Sequence, residues 1–236
     1  MIRFENVHKR YPNAREALSG VSLNIDRGEM VFLTGPSGAG KSTLLKLIAL
    51  IERPSRGSVI VNQRNTAKVS RRGIPKFRQR IGIVFQDHKL LLDRSVFDNV
   101  ALPLVISGHS RRDIERRVRA SLDQVGLLDR ESHPPLSLSS GEQQRVGIAR
   151  AVAGRPDLVI ADEPTGNLDP GLSLDIMRLF ERFNEVGVTL LIATHDLELL
   201  GHMDRRRIEL VSGKLSYDSH DDAQATHQHD ETRPDV

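Results

Sequence analysis

Met30-Val31-Phe32-Leu33-Thr34 runs directly into Gly35-Pro36-Ser37-Gly38-Ala39-Gly40-Lys41-Ser42, after which Leu44, Leu45, Leu47, Ile48 and Ile51 recur at helical spacing. A continuous apolar run predicts a strand buried on both faces, since a half-buried strand would alternate. The glycine-rich octet fits G-x-x-x-x-G-K-[ST], and the helix expected over Ser42–Glu52 completes a strand, phosphate loop, helix unit. Each residue type has a physical task there. The glycines let successive backbone N–H groups converge on phosphate oxygens, and the helix N-terminus adds favourable partial charge. Lys41 would neutralise the β and γ phosphates of a nucleotide, Ser42 would ligate Mg2+, and Thr43 extends the cradle by one residue.

The pattern differs on either side of this unit. Ile2-Arg3-Phe4-Glu5 and Val21–Ile25 alternate with period two and predict half-buried strands of an antiparallel layer. Ile81–Phe85, Leu158–Ala161 and Val188–Ala193 are further buried-strand candidates separated by helical stretches, which predicts an α/β fold with a mainly parallel core sheet. Ile208–Val211 and Lys214–Tyr217, joined through Ser212-Gly213, predict a hairpin. Ser110–Val125 predicts a helix with Ile114, Val118, Ser121, Leu122 and Val125 on its apolar face. Its other face carries Arg111, Arg112, Arg116, Arg117 and Arg119, a solvated face or a contact for an anionic membrane or partner. Residues 1–217 are expected to form one domain. Asp218–Val236, acidic and polar with His220, His227 and His229, is expected to be a disordered tail.

Composition narrows the partners. The chain of 236 residues has no Cys, which excludes disulfides and thiolate metal sites. The net charge of +3 conceals an asymmetry, because residues 1–217 hold 33 Lys/Arg against 25 Asp/Glu. A basic body suits nucleotide phosphates, nucleic acid or an anionic membrane surface. With 4% aromatics and no Trp, stacking platforms are scarce, so nucleic acid is not an expected partner. No apolar run reaches the roughly 18–20 residues that span a bilayer. The amino terminus also lacks the pattern of a signal peptide, so none is expected.

A second acidic element belongs with the phosphate loop. Leu158-Val159-Ile160-Ala161-Asp162-Glu163 is an apolar strand ending in two carboxylates, as in the Walker B element of P-loop NTPases. Asp162 would hold Mg2+ through water, and Glu163 would position and polarise the attacking water.

Leu138-Ser139-Ser140-Gly141-Glu142-Gln143-Gln144-Arg145 resembles the signature of ABC-type ATPases. The resemblance implies a cassette with a helical signature subdomain at about 87–155, and a head-to-tail homodimer that closes on two ATP molecules. In that arrangement Ser139 and Gly141 grip the γ-phosphate bound by the opposite copy, where an orphaned helix N-terminus attracts the anion. Ser140 stands where the family most often has glycine, and Glu142 replaces the common Gln. Were the backbone left-handed at Ser140, a side chain there would cost roughly 1–2 kcal/mol. The resemblance also places Tyr11 on adenine, Gln86 on Mg2+ or the water, Asp169 in the loop that communicates across the dimer, and His195 on the γ-phosphate. ATP and Mg2+ are therefore the expected cofactors.

Two segments narrow the family. Phe85-Gln86-Asp87-His88-Lys89-Leu90-Leu91-Leu92-Asp93-Arg94-Ser95-Val96-Phe97-Asp98-Asn99-Val100 and Ala161-Asp162-Glu163-Pro164-Thr165-Gly166-Asn167-Leu168-Asp169 resemble the cell-division branch of ABC ATPases. This branch implies an integral membrane subunit, control of septal peptidoglycan hydrolysis, and a peripheral position on the cytoplasmic face of the bacterial inner membrane at the division site. The second segment also resembles ATPases of lipoprotein-releasing and macrolide-efflux systems. A module in which ATP only locks a dimer for assembly, with little turnover, would use the same elements. Leu90–Leu92 lies where family members meet the membrane subunit, so partial exposure is expected there, with core packing as the alternative.

Overall fold

The computed structural model describes residues 1–12, 16–166 and 168–220. Among them, β1 (Ile2–Arg10), β2 (Glu16–Ile25), β4 (Arg56–Val61) and β5 (Arg64–Asn65) form an antiparallel sheet in the order β2-β1-β4-β5. A six-stranded sheet has the order β10-β9-β3-β8-β7-β6. Its members are β3 (Met30–Thr34), β6 (Ile81–Val84), β7 (Leu158–Asp162), β8 (Thr189–Ala193), β9 (Arg206–Val211) and β10 (Lys214–Asp218). Every pairing in it is parallel except that of β10 with β9.

The reason for the unbroken apolar strands is visible in their neighbours. Met30 and Phe32 of β3 join one buried cluster, and Val31 and Leu33 join the other. The same division splits β7, where Val159 and Ala161 face the first cluster while Leu158 and Ile160 face the second. The second cluster is shared with the antiparallel sheet and with α1 (Lys41–Ile48). The first is shared with α3 (Val96–Ile106), α4 (Arg111–Gln124), α5 (Ser140–Val152) and α6 (Pro170–Glu185). The helical layer therefore shares one continuous core with the sheet. Two short helices, α2 (Ile74–Arg78) and α7 (Leu197–Gly201), complete the set of described α-helices.

Burial on α4 follows the predicted face, with Val118, Ser121 and Leu122 buried and Ile114 packed at the margin. Its arginines are partly paired, Arg116 with Asp113 at 2.6 Å and Arg119 with Glu131 at 3.0 Å. The closing hairpin turns on Ser212 and Gly213, both left-handed with φ 49 and 77, the combination that suits the strand twist.

One boundary is corrected. Asp218, placed by sequence at the start of a disordered tail, is the buried last residue of β10. It takes a two-pronged hydrogen bond from Arg206 at 2.9 and 2.7 Å, and Arg206 also reaches Glu29 at 3.1 Å. Burial alone would push the Asp218 carboxyl up, but the Arg206 guanidinium and the His220 N–H hold it below the usual carboxylate range. An acidic residue looked like tail because its partner is twelve positions away on the neighbouring strand. His227, His229 and the rest of the segment from residue 221 onward lie outside the described residues.

Candidate active site

The phosphate loop sits at the C-terminal end of β3, at the start of α1. Its shape is enforced by backbone pressed against it. Gly35 has φ 133, and a Cβ there would lie 2.1 Å from the carbonyl oxygen of Leu210. Gly40, the N-cap of α1 with φ 109, would place a Cβ 2.6 Å from the carbonyl oxygen of Ala17. Neither obstacle is a flexible side chain, so both positions need glycine. The Gly213 N–H donates to Ala39 O at 3.0 Å, tying the loop to the β9–β10 hairpin.

Lys41 is 7% exposed, and its ammonium donates to Gly35 O at 2.6 Å and Pro36 O at 3.3 Å. It stands 3.9 Å from Oε1 of Glu163. The cation is thus held inside the loop by main-chain oxygens, and it faces the carboxylate of Glu163, just past β7, which β8 separates from β3.

Asp162 is the last residue of β7, and Glu163 follows with φ 50, a left-handed conformation that a residue with Cβ rarely takes. Its N–H donates to Ala193 O at 2.9 Å, so the turn is anchored on β8 while the carboxylate swings back toward the cleft. There Oε2 contacts Nδ1 of His195, which lies just past β8. Strands β3, β7 and β8 are neighbours in the sheet, and this order brings Lys41, Glu163 and His195 together from distant sequence positions.

These groups line one cleft of about 650 Å3, together with Ala17, Pro36, Ser37, Gly38, Ala39, Gly40, Ser42, Thr43, Gln86 and Asp162. Gly35 is not among the lining residues and lies against Leu210. Ser42, Gln86 and Asp162 are oxygen donors on three different elements at one cleft, a hard ligand set that fits Mg2+ beside a phosphate. Ala17 was not anticipated as a lining residue. It contributes through its position on β2 and its backbone, for which a sequence offers no signal.

Besides Gly35, four expected site residues lie outside the cleft lining. Tyr11 follows β1, with the ammonium of Lys9 4.8 Å from its ring centre. Asp169 caps α6 by accepting from Leu172 N–H at 3.0 Å. Ser139 caps α5 in a reciprocal capping box: its hydroxyl accepts from Glu142 N–H at 3.3 Å, and its N–H donates to the Glu142 carboxylate at 2.8 Å. The bond from the Ser139 N–H, reinforced by the Ser139 hydroxyl, holds the Glu142 carboxyl below its usual range. Gly141 is buried, and Leu172 would lie 3.1 Å from a Cβ on it. Ser140 is the first helical residue of α5 and does not have a positive φ, so the conditional strain at this position does not arise.

Residues 18–166 match the model of the ABC transporter family. The chain belongs to the ABC transporter ATPase family. Relatives of that family include the cell division ATP-binding protein FtsE of Escherichia coli (strain K12), 57% identical over 215 residues, which covers 91% of this chain and 97% of the relative. The FtsE of Haemophilus influenzae is 49% identical over 218 residues, covering 92% of this chain and all of the relative. Among solved structures, the dimeric post-hydrolysis state of the ATP-binding cassette MJ0796 bound to ADP and Pi is 35% identical with a TM-score of 0.84. It covers 92% of this chain and 97% of that one. As an ABC ATPase, the chain carries the phosphate loop between β3 and α1 and the signature at the head of α5.

Proposed function

We propose that this chain is the ATP-hydrolysing subunit of a cell-division complex. It pairs head to tail with a second copy around two ATP molecules and drives an FtsX-like integral membrane subunit. Through that subunit it would act on the division machinery and control septal peptidoglycan hydrolysis, from the cytoplasmic face of the bacterial inner membrane at the division site. The observation that carries the enzymatic part is the convergence of Lys41, Ser42, Gln86, Asp162, Glu163 and His195 on one cleft. Its cell-division part is supported by the FtsE relatives, and the pairing by the dimeric MJ0796 cassette.

The chemistry can be assigned group by group. Loop N–H groups from Gly38 to Thr43 cradle the phosphates, and Lys41 balances their charge. Ser42, Gln86 and Asp162 would hold Mg2+, which when bound would neutralise charge on the phosphate oxygens. Glu163 orients the attacking water and draws on its proton, while His195, held by the Glu163 carboxylate, faces the γ-phosphate. Tyr11 stacks on adenine. Ser139, Gly141 and Asp169 act across the dimer, where the α5 N-terminus of one copy meets the nucleotide of the other.

Leu91 and Leu92 are 41% and 51% exposed, whereas Leu90 packs against the core, so the first two supply the contact for the membrane subunit. Glu163→Gln removes the carboxylate charge without changing its size. ATP should then still be bound and should accumulate a stable dimer, while phosphate release falls by about a hundredfold or more. Membranes captured with that trapped dimer should contain an FtsX-like subunit, and Leu91→Asp should lose it. Normal turnover in Glu163→Gln would remove Glu163 from its role. Capture of a lipoprotein-releasing type subunit instead would change the partner.

A further inference from the structure

Gln86 lies two residues beyond the end of β6, and the residues that follow it are fixed by the helical layer instead of the sheet. Arg150 of α5 donates to the main-chain oxygen of His88 at 2.5 Å and to that of Lys89 at 2.7 Å. Gln144, on the same helix and 1% exposed, meets the ring Nδ1 of His88 through Oε1 at 2.5 Å. Farther along, the fully buried Asn99 of α3 accepts from Leu91 N–H at 2.7 Å and donates to Leu91 O at 2.9 Å. Only Asp87 separates Gln86 from the first of these anchors.

That anchor opposes an unfavourable backbone. His88 and Lys89 are both left-handed, with φ 55 and 49, and two such residues in succession carry a steric penalty at each Cβ. The two carbonyls they present converge on one guanidinium, whose planar fork serves both where an ammonium would serve as a point. Arg150 has no carboxylate partner among the described residues, and burial pushes its guanidinium below the usual range. Gln144 keeps its Nε2 buried without a partner. What both side chains have in common is the loop they hold.

We propose that Arg150, assisted by Gln144, is a positioning residue for Gln86. It holds the His88–Lys89 turn in its left-handed form and thereby sets where Gln86 stands in the cleft. The proposal rests on the reading of Gln86 as a group that touches Mg2+ or the attacking water. The helix that carries this clamp begins at the signature residues Ser139 to Gly141, so a displacement of α5 by the second copy's nucleotide reaches Gln86 through these hydrogen bonds.

The test is a double-mutant cycle on the full-length chain, with ATP turnover and ATP affinity measured for Arg150→Met, Gln86→Ala and the pair. Arg150→Met should lower kcat about tenfold, as a small misplacement of a group at the reaction centre does, while ATP affinity stays within about twofold. In the Gln86→Ala background the same change should cost almost nothing more, because its route to the chemistry is already gone. Lys89→Gly, which accepts a left-handed φ without a clamp, should restore part of the kcat lost in Arg150→Met. Should Arg150→Met fail to fold, Arg150→Lys keeps the stem and the charge and carries the same cycle with a smaller loss. Losses that multiply, or a normal kcat in Arg150→Met beside a slow Gln86→Ala, overturn the positioning role alone. A normal kcat in Gln86→Ala instead overturns the role assigned to Gln86, and the proposal with it.

Discussion

The phosphate loop is enclosed by its own chain, with the carbonyls of Leu210 and Ala17 pressed against Gly35 and Gly40 and the hairpin bonded to Ala39. The signature turn is held differently, for Ser139 and Ser140 are exposed and the turn owes its shape to the capping box with Glu142. One half of the proposed nucleotide site is a cradle set by steric contact with distant strands. The other is a helix end set by hydrogen bonds within four residues. A cradle can hold phosphate in a single chain, whereas an exposed helix end acts only on something brought to it, which is what a head-to-tail pair would supply. The two halves should therefore fail in different ways, and by different amounts.

The largest effect belongs to the cradle. Gly35→Ala sets a methyl group 2.1 Å from Leu210 O in a backbone conformation with φ 133, so neither the loop nor β9 can stay in place. Fold stability should fall on the order of 3 kcal/mol in urea denaturation, and ATP binding should be lost with it. If the variant bound ATP normally, the cradle would be softer than its contacts imply, and the contrast with the signature turn would disappear.

That steric cause also explains how far the sequence could be read. The loop was legible because its glycines, its lysine and its flanking strand and helix are contiguous, and the continuous apolar strands were legible because both sheet faces are covered. Asp162 and Glu163 were legible as the end of such a strand. What pins Gly35 was not legible, since Leu210 lies far along the chain and acts through its carbonyl, which every residue possesses. Asp218 was misplaced for a related reason: its partner Arg206 is brought alongside only by the pairing of β9 with β10. His88 and Lys89 show the same limit, because their left-handed turn depends on Arg150 in a different helix. Local chemistry is written in the sequence, and long-range constraint is written only in the packing.

A smaller effect tests the signature half. Glu142→Ala removes the reciprocal bond of the capping box and should cost about 1 kcal/mol, a loss that shows as an earlier thermal transition with ATP binding retained by the loop. The same residue predicts a pH dependence. Its carboxyl is held below the ordinary value of 4.5 in the folded chain by the Ser139 N–H, so its contribution is fully present above that value. The contribution is lost as pH falls through the lowered folded value. The stability gap between the wild-type chain and Glu142→Gln should therefore be constant near neutrality and close in acid. A gap that persisted unchanged after the Glu142 carboxyl had been fully protonated in acid would mean that its charge does not support the turn.

The smallest effect is at Ser140, where the usual glycine of the family is missing. Had the turn been built like the phosphate loop, a serine there would be strained, and Ser140→Gly would stabilise the fold by roughly 1–2 kcal/mol. Ser140 is instead the first residue of a right-handed helix, so glycine relieves nothing and adds backbone freedom to the unfolded chain. Ser140→Gly should lower stability by about 0.5 kcal/mol and leave ATP-driven pairing within about twofold. A gain in stability would show that the signature backbone is left-handed in solution. It would make this half of the site as dependent on glycine as the other.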